Sequence, residues 1–107
     1  MSKNVKEITG EELKELIAAG ETVVCDFWAT WCGPCRMLAP VLDAVAAQYV
    51  GRAQFVKVDV DQNGEIAQEL GIMSIPDVIV FAGGKIKANH LGFAPEATIR
   101  AFLDANI

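Results

Sequence analysis

Residues 22–51 read TVVCDFWATWCGPCRMLAPVLDAVAAQYVG, and a change of period inside this stretch decides the fold. Thr22 to Thr30 is apolar on both alternating faces apart from Asp26, the pattern of a strand covered by helices on each side. From Cys32–Pro34 onward the apolar residues recur at close to 3.6: Leu38, Val41, Leu42, Val45 and Tyr49 share one face of a helix. Pro40 lies inside that helix and is expected to kink it, because proline removes a backbone donor and crowds the preceding turn. Gly51 ends it. A strand buried on both sides therefore hands over to a helix, and two cysteines, Cys32 and Cys35, sit at the handover.

The same alternation extends outward in both directions. Thr9 and Glu12 are spaced as a capping box for a helix that carries Leu13, Leu16 and Ile17 and stops at Gly20. Ala53 to Val60 (AQFVKVDV) reads as a strand. Asp61-Gln62-Asn63 offers caps for a short helix through Ile66 and Leu70, closed by Gly71. Asp77 to Phe81 is a strand, Ala82-Gly83-Gly84 a tight turn, and Lys85 to Leu91 its antiparallel partner. A last helix opens at Pro95 and buries Ile99, Phe102 and Leu103. The order is β-α-β-α-β-α-β-β-α, an α/β class with a mixed central sheet and helices on both faces. With no linker or repeat, residues 1–107 read as one domain.

Composition excludes several functions. The 107 residues are 52% hydrophobic, too apolar for a disordered chain. A net charge of −5 argues against nucleic acid as a partner, since phosphate contacts need a basic surface. No apolar run approaches the roughly 18–20 residues of a membrane span. The first residues lack the apolar core of a secretory signal. Three cysteines are too few for a disulfide scaffold, so a cytoplasmic protein with reduced thiols is the expectation.

The pair at the handover carries the chemistry. Positions i and i+3 share a helix face with Cβ atoms about 5–6 Å apart, and a disulfide needs about 3.5–4.5 Å. Oxidised and reduced forms are therefore both within reach of a small adjustment. Cys32 stands at a helix N-terminus, where free amides and the macrodipole favour the thiolate, which is the nucleophile. Cys35, a turn further in, is expected to be more sheltered. An exposed thiolate beside a sheltered thiol suits an attack followed by a resolving step. A zinc site is the competing reading, but it normally takes four ligands, and Cys25 and the lone His90 do not complete a set. No metal is expected.

With Trp31-Cys32-Gly33-Pro34-Cys35, the preceding Asp26-Phe27-Trp28-Ala29, Pro40, Phe55-Lys57-Asp59, Ile75-Pro76, Gly84 and Gly92, the chain resembles the thioredoxin family over essentially its whole length. The resemblance implies the thioredoxin fold and reversible dithiol–disulfide exchange with disulfide-containing proteins. It also implies re-reduction by a thioredoxin reductase, with no cofactor beyond the Cys32–Cys35 disulfide, and action as a monomer. By resemblance Cys32 attacks, Cys35 resolves, and Asp26 is the buried carboxylate that assists deprotonation of Cys35, with Lys57 as its partner. Burial of an aspartate raises its pKa towards the useful range, which supports that role independently, although a plain structural ion pair would also explain the two residues. Pro76 matches the family's cis-proline facing the cysteines. Gly33, Pro34 and Trp28 shape the site, Trp28 serving equally well as core filler. By the same resemblance Trp31, Gly33, Val60, Ile75, Gly92 and Phe93 are expected to form an apolar docking rim.

Asp77 departs from the family, which commonly has threonine after this proline. If its side chain points at the cysteines, like-charge repulsion disfavours the Cys32 thiolate and makes the protein a stronger reductant. Strand alternation also permits the opposite direction. Cys25 reads as core filler and His90 as a partly exposed strand residue. The competing functions are a thioredoxin-like oxidant or isomerase, and a binding module whose cysteines are incidental.

Overall fold

Local signals build the elements, and the computed structural model describes residues 2–107 of them. A short first strand, β1 (Lys6–Glu7), leads into α1 (Gly10–Ala18), whose N-terminus carries the Thr9–Glu12 capping box. The buried strand β2 (Val23–Trp28) is followed by α2 (Gly33–Ala46) with Cys32 at its N-cap and Pro40 inside it. A 3₁₀ turn, Ala47–Tyr49, completes the descent to β3 (Gln54–Asp59) and α3 (Gly64–Glu69). The hairpin β4 (Asp77–Ala82) and β5 (Lys85–Leu91) precedes α4 (Glu96–Asn106). The hairpin turn places Gly83 and Gly84 at φ 60° and 82°, the positive values that a two-residue turn matched to strand twist demands.

Among the described residues the sheet has five strands in the order β1-β3-β2-β4-β5, parallel from β1 through β3 to β2 and antiparallel from β2 through β4 to β5. This is the expected mixed sheet. One face packs Val24, Val78 and Val80 against Leu38, Leu42 and Val45 of α2 and Ile99 and Leu103 of α4. The other packs Val23, Cys25, Phe27, Ile79 and Phe81 against Leu13 of α1 and Ile66 of α3. Each fully buried Leu or Ile stabilises the fold by about 1.5–3 kcal/mol relative to exposure.

One capping expectation is diverted. Asn63 occupies the N-cap of α3, but its side chain makes no cap hydrogen bond. Its Oδ1 instead accepts from the Gly10 amide at 2.9 Å, and its Nδ2 donates to the Asp59 carbonyl at 3.0 Å. Gly10 permits this approach of α1 to α3, because a Cβ there would lie 2.7 Å from Ile66 Cγ2.

Candidate active site

The end of β2 and the start of α2 set the cysteines. Cys32 holds an extended N-cap conformation, its amide bonded to the Ala29 carbonyl at 3.2 Å. Its Sγ accepts the Cys35 amide at 3.2 Å, so the sulfur takes one of the donors a helix start leaves unpaired. Gly33 and Pro34 fill the first turn, where the missing proline N–H costs nothing. Cys32 and Cys35 form a disulfide across a Cα–Cα distance of 5.2 Å. The expected contrast in exposure is nearly absent: Cys32 is 4% exposed and Cys35 2%. Ala29 clusters with the bonded pair, and Trp28, Val60 and Ile75 pack against that cluster.

Residues remote in sequence close the site. The Ile75–Pro76 peptide is cis, as the resemblance implied, and the Ile75 carbonyl oxygen lies 3.9 Å from Cys32 Sγ. The Gly92 amide donates to the Pro76 carbonyl at 2.8 Å, and its φ of 84° lets the chain turn there at the end of β5. Trp31 is 67% exposed and Phe93 41%, and Val60 and Ile75 are half-buried, giving an apolar rim beside the disulfide. A side chain at Gly33 would meet nothing within 4 Å, so this glycine keeps the surface bare rather than relieving a clash. Trp31 Nε1 donates to Asp61 Oδ2 at 2.8 Å. Sequence reading offered Asp61 only as a helix cap. Its partner lies 30 positions away, and no local pattern announces the pair.

Asp26 is buried beneath the sheet's α2 face, at 2% exposure, and its Oδ1 has no hydrogen-bond partner. Burial pushes its pKa up to about 7, with Lys57 opposing the rise and Asp77 adding to it. Lys57 pairs with Asp26 in the β2–β3 register. Its ammonium nevertheless lies over the Trp28 ring, 5.0 Å from the centroid, and makes no ion pair with Asp26 within 4.0 Å. A plain structural ion pair is therefore not what holds the two together. A cleft of about 500 Å³, lined by Arg36, Pro40, Asp43 and Lys57 among others, brings solvent to the lysine. Trp28 is half-buried against the cysteine cluster, with its Nε1 enclosed and unpartnered.

Asp77 takes the second of the two directions that alternation allowed. It stands across from Phe27 on β2, on the face that carries Cys25 and Ile79, whereas Asp26 and Val78 share the other. Its Oδ1 accepts from Asn89 Nδ2 at 3.1 Å, and burial raises its pKa. The orientation needed for direct repulsion of the Cys32 thiolate is not the one adopted. Cys25 is fully buried, and that burial holds its thiol pKa well above the usual value. His90 is half-buried against Phe102, with ring centroids 5.6 Å apart. Among the described residues no group of three or more His, Cys, Asp or Glu could hold a metal ion.

Comparison with known proteins agrees with this geometry. The sequence model of the family described as thioredoxin matches residues 4–105. A thioredoxin of Pseudomonas aeruginosa is 37% identical over 108 residues, covering all of both chains. A thioredoxin of Staphylococcus aureus is 41% identical over 103 residues, covering 96% of this chain and 98% of the relative. The crystal structure of a chloroplastic thioredoxin z superposes with a TM-score of 0.84 at 37% identity, over 98% of this chain and 96% of that one.

Proposed function

The chain belongs to the thioredoxin family, and from that premise we infer how its residues divide the work of protein-disulfide reduction. It is a protein-disulfide oxidoreductase and electron carrier acting by dithiol–disulfide exchange. The observation that carries the assignment of roles is the Cys32 sulfur, bonded to Cys35 while accepting the Cys35 amide at the head of α2.

In the reduced protein the Cys32 thiolate attacks one sulfur of a substrate disulfide, and the other substrate sulfur leaves as a thiolate and takes a proton. Cys35 loses its proton to Asp26 and attacks Cys32 Sγ, breaking the mixed disulfide; the second substrate sulfur leaves as a thiolate and takes a proton from Asp26 or water. The substrate gains two electrons and two protons, and the protein is left with the Cys32–Cys35 disulfide. A carboxylate with a pKa of about 7 suits this transfer, because it both accepts and returns a proton near neutral pH. Lys57 tunes that carboxylate across the β2–β3 ladder, and the cleft beside it supplies the exchange with solvent.

The extended substrate lies across the Ile75–Pro76 backbone, on the rim of Trp31, Val60, Ile75, Gly92 and Phe93, while Trp28, Gly33, Pro34 and Pro76 shape the floor. The cysteine pair is the whole redox centre, and a thioredoxin reductase restores the dithiol. On this reading the protein acts as a monomer, and the cytoplasm, which keeps thiols reduced, suits a dithiol donor. No helix among the described residues is long and apolar enough to cross a membrane.

Insulin reduction driven by dithiothreitol tests the reading. The protein accelerates precipitation of the freed insulin chains, and Cys32→Ser abolishes the acceleration. Equal rates with and without the protein would contradict it.

A further inference from the structure

Met73 is 95% exposed, more than any other large apolar side chain among the described residues. It lies between α3 and the Ile75–Pro76 peptide, on the wall of an apolar pocket of about 160 Å³ whose other lining residues are Trp31, Val60, Ala67, Ile72, Ser74 and Ile75. An enclosed apolar cavity of roughly 150 Å³ holds a benzene-sized group, so this open pocket has room for one bulky side chain. Ile75 and Val60 belong both to this pocket and to the shell around the cysteines. The pocket therefore shares two of its walls with the shell around the cysteines, and a substrate joined to Cys32 brings the side chain next to its own cysteine within reach of it.

We propose that Met73 is an oxidation-sensitive specificity residue, whose conversion to the sulfoxide selectively slows reduction of disulfides flanked by a bulky apolar side chain. The proposal rests on the disulfide-reductase reading above. A hydroperoxide is the oxidant: a Met73 Sδ lone pair attacks one peroxide oxygen, the O–O bond breaks, and water or an alcohol leaves. The thioether loses two electrons to become the sulfoxide, and the peroxide gains them. A flexible apolar wall becomes polar, which weakens contact with an apolar side chain. The cysteines do not compete in the oxidised protein, because Cys32 and Cys35 are joined and Cys25 is buried. Met37, 59% exposed on α2, is absent from the pocket lining and serves as the internal control.

The test treats the disulfide form with hydrogen peroxide, removes the peroxide, and maps the added oxygen by peptide mass. Dithiothreitol-driven turnover is then measured on two disulfide peptides, with leucine or with glycine beside the cysteine. Each protein is compared with its own untreated sample. Treated wild type carries oxygen on Met73 and loses roughly three- to ten-fold in kcat/KM on the leucine peptide, and less than about two-fold on the glycine peptide. Treatment changes neither value in Met73→Leu, whereas Met37→Leu responds as wild type does. The proposal is overturned if Met73 is oxidised with no selective loss, if peroxide spares Met73, or if Met73→Leu loses as much as wild type. Untreated wild type that reduces neither peptide overturns the reductase reading itself, which separates the two failures.

Discussion

Asp26 and Lys57 are direct partners in the β2–β3 ladder, yet the lysine ammonium lies over the Trp28 ring and the aspartate keeps one carboxylate oxygen without a hydrogen bond. A satisfied ion pair would hold Asp26 ionised at all physiological pH. The unsatisfied one leaves burial as the dominant influence and puts the pKa at about 7.

This arrangement costs stability, and the sign is fixed by the direction of the shift. The folded-state pKa of Asp26 lies above its ordinary value of 3.8, so the native state binds the proton more tightly than the unfolded chain. Its contribution is most favourable below about pH 4 and is lost as pH rises through about 7, a loss of roughly 4 kcal/mol at most. Asp77, also raised by burial, acts in the same direction. Asp26→Asn removes the dependence on this group, so urea melts from pH 4 to 8 will show the variant gaining on wild type as pH rises. A constant difference across that range would remove the buried, titrating Asp26 from the account.

The same substitution separates chemistry from stability. If Asp26 takes the Cys35 proton, wild-type resolution of the mixed disulfide will rise with pH about an apparent pKa near 7, the value to which burial pushes that carboxyl. In Asp26→Asn the inflection disappears and resolution at pH 7 slows by about ten-fold or more. Stopped-flow release of a fluorescent substrate thiol measures it, and an equally fast Asn variant would rule out the proton-transfer role.

Much of this was legible in sequence because it is local. The change of period at Thr30–Cys32 located the strand-to-helix handover, and the spacing of Thr9 and Glu12 located a real capping box. What escaped depends on pairing. The predicted order opens with a strand but assigns it no residues, because the two residues of β1 are exposed and carry no pattern; only their ladder with β3 places them. The face of Asp77 follows from its register with Phe27, and the bonds of Asp61 to Trp31 and of Asn63 to Gly10 span 30 and 53 positions. Cys32 was expected to be exposed because it begins a helix, but it is buried in a cluster against which Val60 and Ile75 from other elements pack.

Asp77 makes a clear prediction from its orientation. Its carboxylate is engaged by Asn89 on the face away from Asp26, so Asp77→Thr shifts the reduction potential of the Cys32–Cys35 couple by less than about 15 mV, roughly a three-fold change in equilibrium constant. Redox equilibration against glutathione measures it. A rise of about 30 mV or more would restore direct tuning of the thiolate.

Asp61 positions rather than reacts. Removing its carboxylate in Asp61→Ala frees the Trp31 indole, raising KM for a protein disulfide about three-fold while kcat stays within about two-fold. Asp61→Asn, which keeps an acceptor oxygen, recovers most of the loss. If the Asn and Ala variants are equally impaired, the Trp31 hydrogen bond is not the cause.

The central claim is that Cys32 attacks and Cys35 resolves, and trapping tests it most directly. Cys35→Ser, reduced and mixed with a disulfide-bonded protein, will accumulate a mixed disulfide that peptide mass mapping assigns to Cys32, while Cys32→Ser accumulates none. An adduct carried on Cys35 in Cys32→Ser, formed as fast as the Cys32 adduct in Cys35→Ser, would contradict the account.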